Sequence, residues 1–578
     1  MWNTNWREQT WNDINQPWDM IIIGGGITGA GILREASRQN LRALLVEQRD
    51  FAWGTSSRSS KLVHGGLRYL ATGQIGLTLD AVRERQRLMQ EAPGLVDPVG
   101  FLIAIRKGDK PGRFTYGAGL TLYDLMARNR SHRYYKTNEF KMLAPHMSDD
   151  GLQGGFRYID AQTDDSRLTV RVLREAVADG GTAINYARVA DLLKENDQVV
   201  GVNLRDETTG ETFAVKSKLV INATGAWADQ LRQQVGGKRL IRPLRGSHMI
   251  LPHHRLHVAQ AISFLHPVDR RFLFIFPWEG LTIVGTTDLD HSKPLADEAR
   301  ISADEVAYLM AAIEHLFPSR TITLDDIIST MAGVRPVIDT GKAEPSKESR
   351  EHIVQVEKGL LTVTGGKLTT FRLIALHALK VAHEYLPQLT QGDENTPVLN
   401  PLTVNLDDIA LDDSIQKRLL GRYANEAPSL IAAAQQDELD LIPGTNSIWA
   451  ELRWSARSEG IVHLDDLLLR RVRIGLMLPN GGQEFLPRIR EICQPELEWS
   501  DEKWDSEESA YLDLWRKHYS LPDREAIPDW HEMLQNAEMQ KSQKSSGILS
   551  LLKYILAPFK VLLTIIRVII KLVIPKKE

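Results

Sequence analysis

Residues 19–47 read DMIIIGGGITGAGILREASRQNLRALLVE, and the order of their parts decides the fold. The apolar MIII suits a buried strand, GGGITG a tight turn, AGILREASRQ a helix, and ALLVE a second strand closed by an acid. Together they make a complete βαβ dinucleotide fingerprint, which is far more specific than an isolated glycine triplet. Gly24 permits the turn, Gly26 lets a pyrophosphate approach the backbone, and Gly29 lets helix and strand pack closely. The helix start offers N–H donors to the phosphates. Glu47, eighteen residues beyond Gly29, is placed for the adenosine ribose hydroxyls. Taken alone, this stretch admits NAD as readily as FAD.

The chain has 578 residues, too many for one hydrophobic core, and its length points to about three or four domains. A net charge of −4 gives no global reason to expect nucleic acid. The single cysteine, Cys493, excludes an intrachain disulfide and a cysteine metal cluster; a reducing compartment is expected, and no metal. The opening MWNTNWREQTWNDINQPWD is polar and tryptophan-rich rather than a secretory leader, which places the functional part in the cytoplasm.

Working outward, the run FAWGTSSRSSKLVHGGLRY (residues 51–69) is rich in small hydroxyl residues and glycine, and it follows directly on the acid-ended strand. The backbone there is expected to pass close to the cofactor, with contacts from Thr55, Ser56, Ser60, Lys61, His64, Gly65 and Gly66. Asp164 and Asp165 stand before an amphipathic helix as N-cap and dipole partners. KLVINATGAWADQL gives a second strand, small-residue turn and helix, with Gly225 at the turn. Gly246 to Asp288 alternates apolar and polar residues as an antiparallel sheet would, and is read as the substrate domain. Further on, TVTGGKLTTFRLIALHAL is a strand, a glycine turn and a long helix, bringing Gly366, Leu368 and Thr369 toward the same crevice. From residue 400 to 545 the pattern is helical and is read as a separate accessory domain.

The pieces IIIGGGITGAG, TSSRSSKLVHGGLRYL, INATGAWAD, LRGSHMI, IVGTTD, AGVRP and TGGKLTTFR, in this order over residues 18 to 380, resemble bacterial respiratory FAD-dependent glycerol-3-phosphate dehydrogenases. The resemblance implies noncovalent FAD, oxidation of sn-glycerol 3-phosphate to dihydroxyacetone phosphate by hydride transfer from C2 to flavin N5, and delivery of electrons to membrane quinone. It implies a substrate pocket lined by Arg68, Tyr69, Thr287 and Arg350, and catalytic positions at His248, Arg335 and Lys367. The fold expected is α/β. A Rossmann-like FAD-binding domain (18–98, 155–240, 326–395) and an antiparallel β-sheet substrate domain (99–154, 241–325) are followed by a helical C-terminal accessory domain (400–545) and an amphipathic tail helix (546–578). A homodimer is left open.

The set is chemically sensible in its own right. A phosphate dianion needs converging guanidinium or ammonium groups, and arginine supplies bidentate geometry. Arg68, Arg335 and Lys367 stand beside glycine turns expected to face the cofactor. Oxidising a secondary alcohol also needs a base for the hydroxyl proton; His248 is the leading candidate and His64 its competitor. Lys367 and the helix start at Gly365–Gly366 are suited to stabilising negative charge on reduced flavin or on the phosphate.

The tail GILSLLKYILAPFKVLLTIIRVIIKLVIPKKE carries Lys553, Lys560, Arg567 and Lys571 at steps of 7, 7 and 4 residues, an arc of about 40° on a helix. A membrane span would drag these cations into hydrocarbon, whereas a helix lying in the interface leaves them among headgroups and buries the wide apolar face. The expectation is a peripheral enzyme on the cytoplasmic face of the inner membrane, bound to the bilayer surface. Three other readings stay open: an oxygen-using oxidase, an amine- or amino-acid-oxidising flavoenzyme, and a noncatalytic FAD-binding membrane scaffold.

Overall fold

A computed structural model of the chain describes residues 2, 5–71, 73–109, 111–343, 348, 351–390 and 392–544. The apolar run becomes the fully buried strand Trp18–Ile23, and the glycine turn leads into helix Ile27–Ser37 and strand Ala43–Val46. Five parallel strands follow the order Thr182–Ile184, Ala43–Val46, Trp18–Ile23, Thr212–Asn222, Leu360–Gly365, with His352–Glu357 antiparallel at the edge. Register sets Ile22 between Leu45 and Ile221. Both faces of this sheet are apolar because both are covered. Helices Ile27–Ser37, Asp165–Ala178 and Phe371–Ala382 cover one face through a core that includes Ile32, Leu173 and Ala375. An antiparallel meander, Ala187–Glu195, Gln198–Asp206 and Thr212–Asn222, covers the other through Val202 and Val215.

The second sheet has ten strands. At its centre Ile241–Pro252 lies between Leu281–Gly285 and Ser329–Ile338. The pairings are antiparallel except where Ala261–Leu265 runs parallel to Val96–Arg106. Two expected boundaries move. Residues 155–163 and 329–338, assigned from sequence to the nucleotide domain, form the strands Leu152–Thr163 and Ser329–Ile338 of this second sheet. An apolar strand carries no mark of which sheet it joins; its partners decide.

The C-terminal region is helical, as expected, but it is not separate. Leu467, Leu476, Trp504 and Tyr511 share one core with Phe101, Phe276, Trp278 and Met331 of the second sheet. Ser329 Oγ donates to Leu476 O at 2.7 Å and Thr330 N donates to Tyr519 O at 2.7 Å, so the helices also satisfy polar groups of the strand Ser329–Ile338. Helix Asp165–Ala178 adds buried arginines: Arg167 meets Glu459, and Arg174 donates to Ser458 O and meets Glu426. Among the described residues no helix is long and apolar enough to cross a membrane. The tail expected over 546–578, with Lys553, Lys560, Arg567 and Lys571, lies outside the described residues.

Candidate active site

The glycine turn is built without spare room. Gly24 has φ +115°, and a Cβ there would stand 2.6 Å from Ala223 O. A Cβ on Gly29 would be 1.9 Å from Gly24 O, so the helix start can close on the turn only as glycine. Gly26 precedes the helix in extended conformation, and Ser56 Oγ accepts from Ile27 N at 2.9 Å. Glu47 is half-buried, and desolvation raises its carboxyl pKa; its Oε2 accepts from Gly25 N at 2.7 Å and its Oε1 from Arg49 N at 2.9 Å. Gly24, Gly26, Glu47, Thr55, Ser56, Gly225, Gly366 and Leu368 line a crevice of about 230 Å³.

That crevice shares Thr55, Ser59, Pro336, Gly366, Lys367 and Leu368 with a second cavity of about 700 Å³. One wall of the larger space comes from the second sheet through His248 and Arg335, and another from the two distant glycine turns. Gly66 has φ +74°, and a Cβ there would meet Tyr69 Cδ2 at 2.2 Å, so its absence lets the Tyr69 ring fold back over the turn. The Lys367 ammonium stands 3.5 Å from the centre of that ring, a cation–π contact, and Thr369 Oγ1 donates to His64 O at 3.3 Å. The GGLRY and GGKLTT turns, some 300 positions apart, therefore close on each other.

His248 occupies a middle strand of the second sheet, its ring lying where a Cβ on Gly285 would stand 2.3 Å away. Its Nε2 is 2.9 Å from Ser60 Oγ at the cavity wall. Burial first, then the charges of Arg335 and Lys61, hold its pKa well below the ordinary 6.5, so the imidazole is neutral at physiological pH. Arg335 is fixed by Asp288 Oδ1 at 2.9 Å and Thr286 Oγ1 at 2.8 Å. A neutral base and two cations lining one cavity can remove a hydroxyl proton and hold an anionic substrate.

Of the positions expected from sequence, His64, Gly66, Tyr69, Ser60, His248, Arg335, Lys367 and Thr369 line the larger cavity. Gly65 lies behind it, its N–H donating to Asp160 Oδ1 at 3.1 Å. Two side chains face elsewhere. Lys61 is buried against Asp165 at 2.8 Å and Ser57 O at 3.3 Å, away from the cofactor crevice. Burial and the nearby Arg473 bring its pKa down to about 8. Thr287 donates to Glu305 Oε1 at 2.6 Å and accepts from Ser247 N at 2.8 Å, while its neighbours Thr286 and Asp288 line the cavity. Asp164 caps its helix by accepting from Arg167 N at 3.1 Å, but Asp165 goes beyond a dipole partner by receiving Ser59 N, Ser59 Oγ and Lys61. Arg68 belongs to helix Leu67–Ala71, its side chain outside the described residues, as is all of Arg350. Sequence reasoning missed Thr286, Asp288, Arg58 and Arg271 on the cavity wall. For the first two the signal was available in GTTD, where alternate residues face opposite ways. Arg58, which meets Glu298 and Tyr519, carried no such signal.

The residues fit an adenine dinucleotide by their own geometry: a glycine turn closed by atoms that forbid a side chain, an acid beyond the second strand, and a crevice that opens into a reaction cavity. Comparison with known proteins agrees. Residues 19–382 match the family described as FAD dependent oxidoreductase, and residues 380–504 match the C-terminal domain of alpha-glycerophosphate oxidase. An aerobic glycerol-3-phosphate dehydrogenase of Staphylococcus aureus is 36% identical over 488 residues, covering 79% of this chain and 87% of the relative. A protein of the same name from Staphylococcus haemolyticus is 35% identical over 490 residues, with the same coverage. The solved structure of the glycerol-3-phosphate dehydrogenase from Bacillus halodurans, complexed with FAD, is 26% identical, covers 90% of this chain and 98% of its own, and superposes with a TM-score of 0.71. With this degree of likeness over both the cofactor half and the helical half, the chain belongs to the FAD-dependent glycerol-3-phosphate dehydrogenase family.

Proposed function

We propose that the chain oxidises sn-glycerol 3-phosphate to dihydroxyacetone phosphate with FAD and passes the electrons to a quinone at a membrane surface. The observation that carries the reading is the convergence of His248, Arg335 and Lys367 on one cavity whose wall continues into the dinucleotide crevice. Gly24, Gly26, Gly29, Glu47, Ser56, Gly225 and Gly366 would hold the cofactor. FAD, when bound, supplies the two-electron acceptor for the hydrogen leaving C2.

The protein's own groups supply the rest. Arg335, kept in place by Asp288 and Thr286, offers a fixed guanidinium to the phosphate, and Lys367 adds a second cation from the glycine turn. Tyr69 lies against Lys367 and orients the ammonium. His248 accepts the C2 hydroxyl proton: its imidazole is neutral, and Nε2 faces the Ser60 hydroxyl at the cavity wall.

Two observations support the membrane part. Helix Arg113–Ala127 lines the cavity with Thr115, Tyr116, Gly119 and Leu122, and the same helix carries Phe114 and Leu125, 91% and 58% exposed. Such exposed apolar side chains suit a membrane interface, as does the charge spacing of the tail. Oxygen as the acceptor is a second reading, favoured by the match of residues 380–504 to an oxidase domain.

One experiment separates these. Protein mixed anaerobically with glycerol 3-phosphate is followed by flavin absorbance, then reoxidised by a quinone or by oxygen in parallel. Bleaching followed by faster reoxidation with quinone is expected. No bleaching overturns the substrate, and faster reoxidation by oxygen overturns the acceptor. Removal of residues 546–578 is expected to release the enzyme from vesicles containing anionic lipid; unchanged binding refutes the tail as anchor.

A further inference from the structure

Two points, seven residues apart, on the connection that runs past the dinucleotide crevice after Glu47 are fastened by one short stretch of the C-terminal helical region, Arg470–Arg473. Arg471 Nη1 and Nη2 grip the two carboxylate oxygens of Asp50 at 2.7 Å each, Arg470 Nε donates to Asp50 Oδ2 at 2.5 Å, and Asn185 Nδ2 donates to Oδ1 at 3.1 Å. All four side chains are buried. Asp50 belongs to the loop that follows Glu47, and that loop is folded onto the glycine turn. Ala52 N donates to Gly25 O at 3.0 Å, Gly25 N donates to Glu47 Oε2 at 2.7 Å, and a Cβ on Gly25 would stand 2.9 Å from Phe51 Cδ1. Two positions further along, Arg473 Nη2 donates to Ser57 O at 2.8 Å, next to Ser56, whose hydroxyl accepts from Ile27 N at the helix start. Glu47, Gln48, Trp53, Thr55 and Ser56 all line the crevice.

A buried ion pair of this kind is a weak source of net stability, because desolvating its members offsets their attraction; what it adds is fixed geometry. Adjacent side chains diverge by about 100° on a regular α-helix. Here the π-helical turn Asp466–Arg471 ends with Arg470 and Arg471 both reaching one carboxylate. Arg470 is itself held by Asp465 and Asp466 at 2.6 Å, and its carbonyl accepts from Ser166 Oγ at 2.8 Å. The clamp is thus rigid on both sides.

We infer that Arg470, Arg471 and Arg473 are positioning residues for FAD: acting through Asp50 and Ser57, they hold the Glu47 and Ser56 segments in the geometry that retains the cofactor. The helical region, on this account, is a keeper of the nucleotide site.

The test uses full-length holoenzyme as wild type, Arg471→Lys and Arg471→Gln. Arg453→Gln serves as a control, because Arg453 pairs with Glu438 and Glu496 inside the helical region and touches neither loop. FAD release is followed by the rise of flavin fluorescence on dilution, beside the thermal midpoint and the midpoint potential of the bound flavin. Arg471→Gln is expected to release FAD about tenfold faster with an unchanged potential, since Arg471 holds Asp50, whose loop adjoins Glu47 at the adenosine end. Arg471→Lys is expected to fall between it and wild type, keeping the charge but losing the fork. Arg453→Gln lowers the thermal midpoint and leaves release unchanged. Release from Arg471→Gln at the wild-type rate, or accelerated no more than in Arg453→Gln, overturns the inference. If Arg471→Gln does not give folded holoenzyme, Arg471→Lys decides: faster release than wild type supports the clamp, equal release overturns it.

Discussion

The two cavities of this molecule are made of different materials. The dinucleotide crevice, about 230 Å³, is lined by Gly24, Gly26, Gly54, Gly225, Gly365 and Gly366 among others, and takes its defining features, the glycine turn and Glu47, from one contiguous stretch. The neighbouring cavity, about 700 Å³, is bounded by side chains from well-separated segments, among them Ser60, Tyr69, Tyr116, His248, Arg335 and Lys367. A site built from backbone tolerates no added atom but depends little on any one side chain. A site built from side chains tolerates changes of shape and fails when a particular group is lost.

That contrast can be broken or sharpened by substitution. The largest effect is expected from Gly29→Ala, whose Cβ would be 1.9 Å from Gly24 O; the purified protein should contain essentially no flavin, and a normal flavin-to-protein ratio would defeat the backbone account. His248→Asn comes next. It should slow anaerobic flavin reduction by glycerol 3-phosphate by about a thousandfold while flavin content stays normal. Near-normal reduction would remove His248 as the base.

Arg335→Leu should raise the apparent KM for glycerol 3-phosphate about a hundredfold, the scale of a lost charge-assisted pair, again with FAD retained. Glu47→Gln should do the reverse, releasing FAD about tenfold faster while flavin that remains bound is reduced at the wild-type rate. An effect of either change on the other cavity's property would show that the two are not independent.

The smallest effect is in pH dependence. Burial and the neighbouring Arg335 and Lys61 charges hold the His248 pKa well below 6.5, so the base loses its function only on the acid side of that value. The acid limb of the kcat/KM profile should therefore lie below pH 6.5 in the wild type. Arg335→Leu removes one depressing charge and should move the limb upward; a wild-type limb above neutrality would contradict the environment described.

The crevice was legible in the sequence because its information is local: strand, turn, helix and acid follow one another within residues 19–47. The larger cavity was half legible. Glycine turns announced where the chain approaches a ligand, and histidine and arginine beside them announced the chemistry. What could not be read was direction and partnership. Lys61 and Thr287 sit one residue from cavity-lining Ser60, Thr286 and Asp288, yet their side chains go to Asp165 and Glu305. The strands Leu152–Thr163 and Ser329–Ile338 look like any apolar strand, and only pairing assigns them to the second sheet. The docking of the helical region was hidden for a related reason. Nothing in the sequence marks Arg167, Arg470, Arg471 and Arg473 as buried; their acceptors lie far along the chain.

The Arg470–Asp50 contact spans 420 positions, and this has a consequence for synthesis. A chain emerging in order from the ribosome exposes its glycine turn first, next gains the strand Leu360–Gly365 that completes the parallel sheet, and acquires the arginine clamp only after residue 473 has appeared. During most of translation the nucleotide-binding loops are present but unfastened. The clamp proposed above is thereby the last part of the nucleotide site to be made, present only when four-fifths of the polypeptide exists.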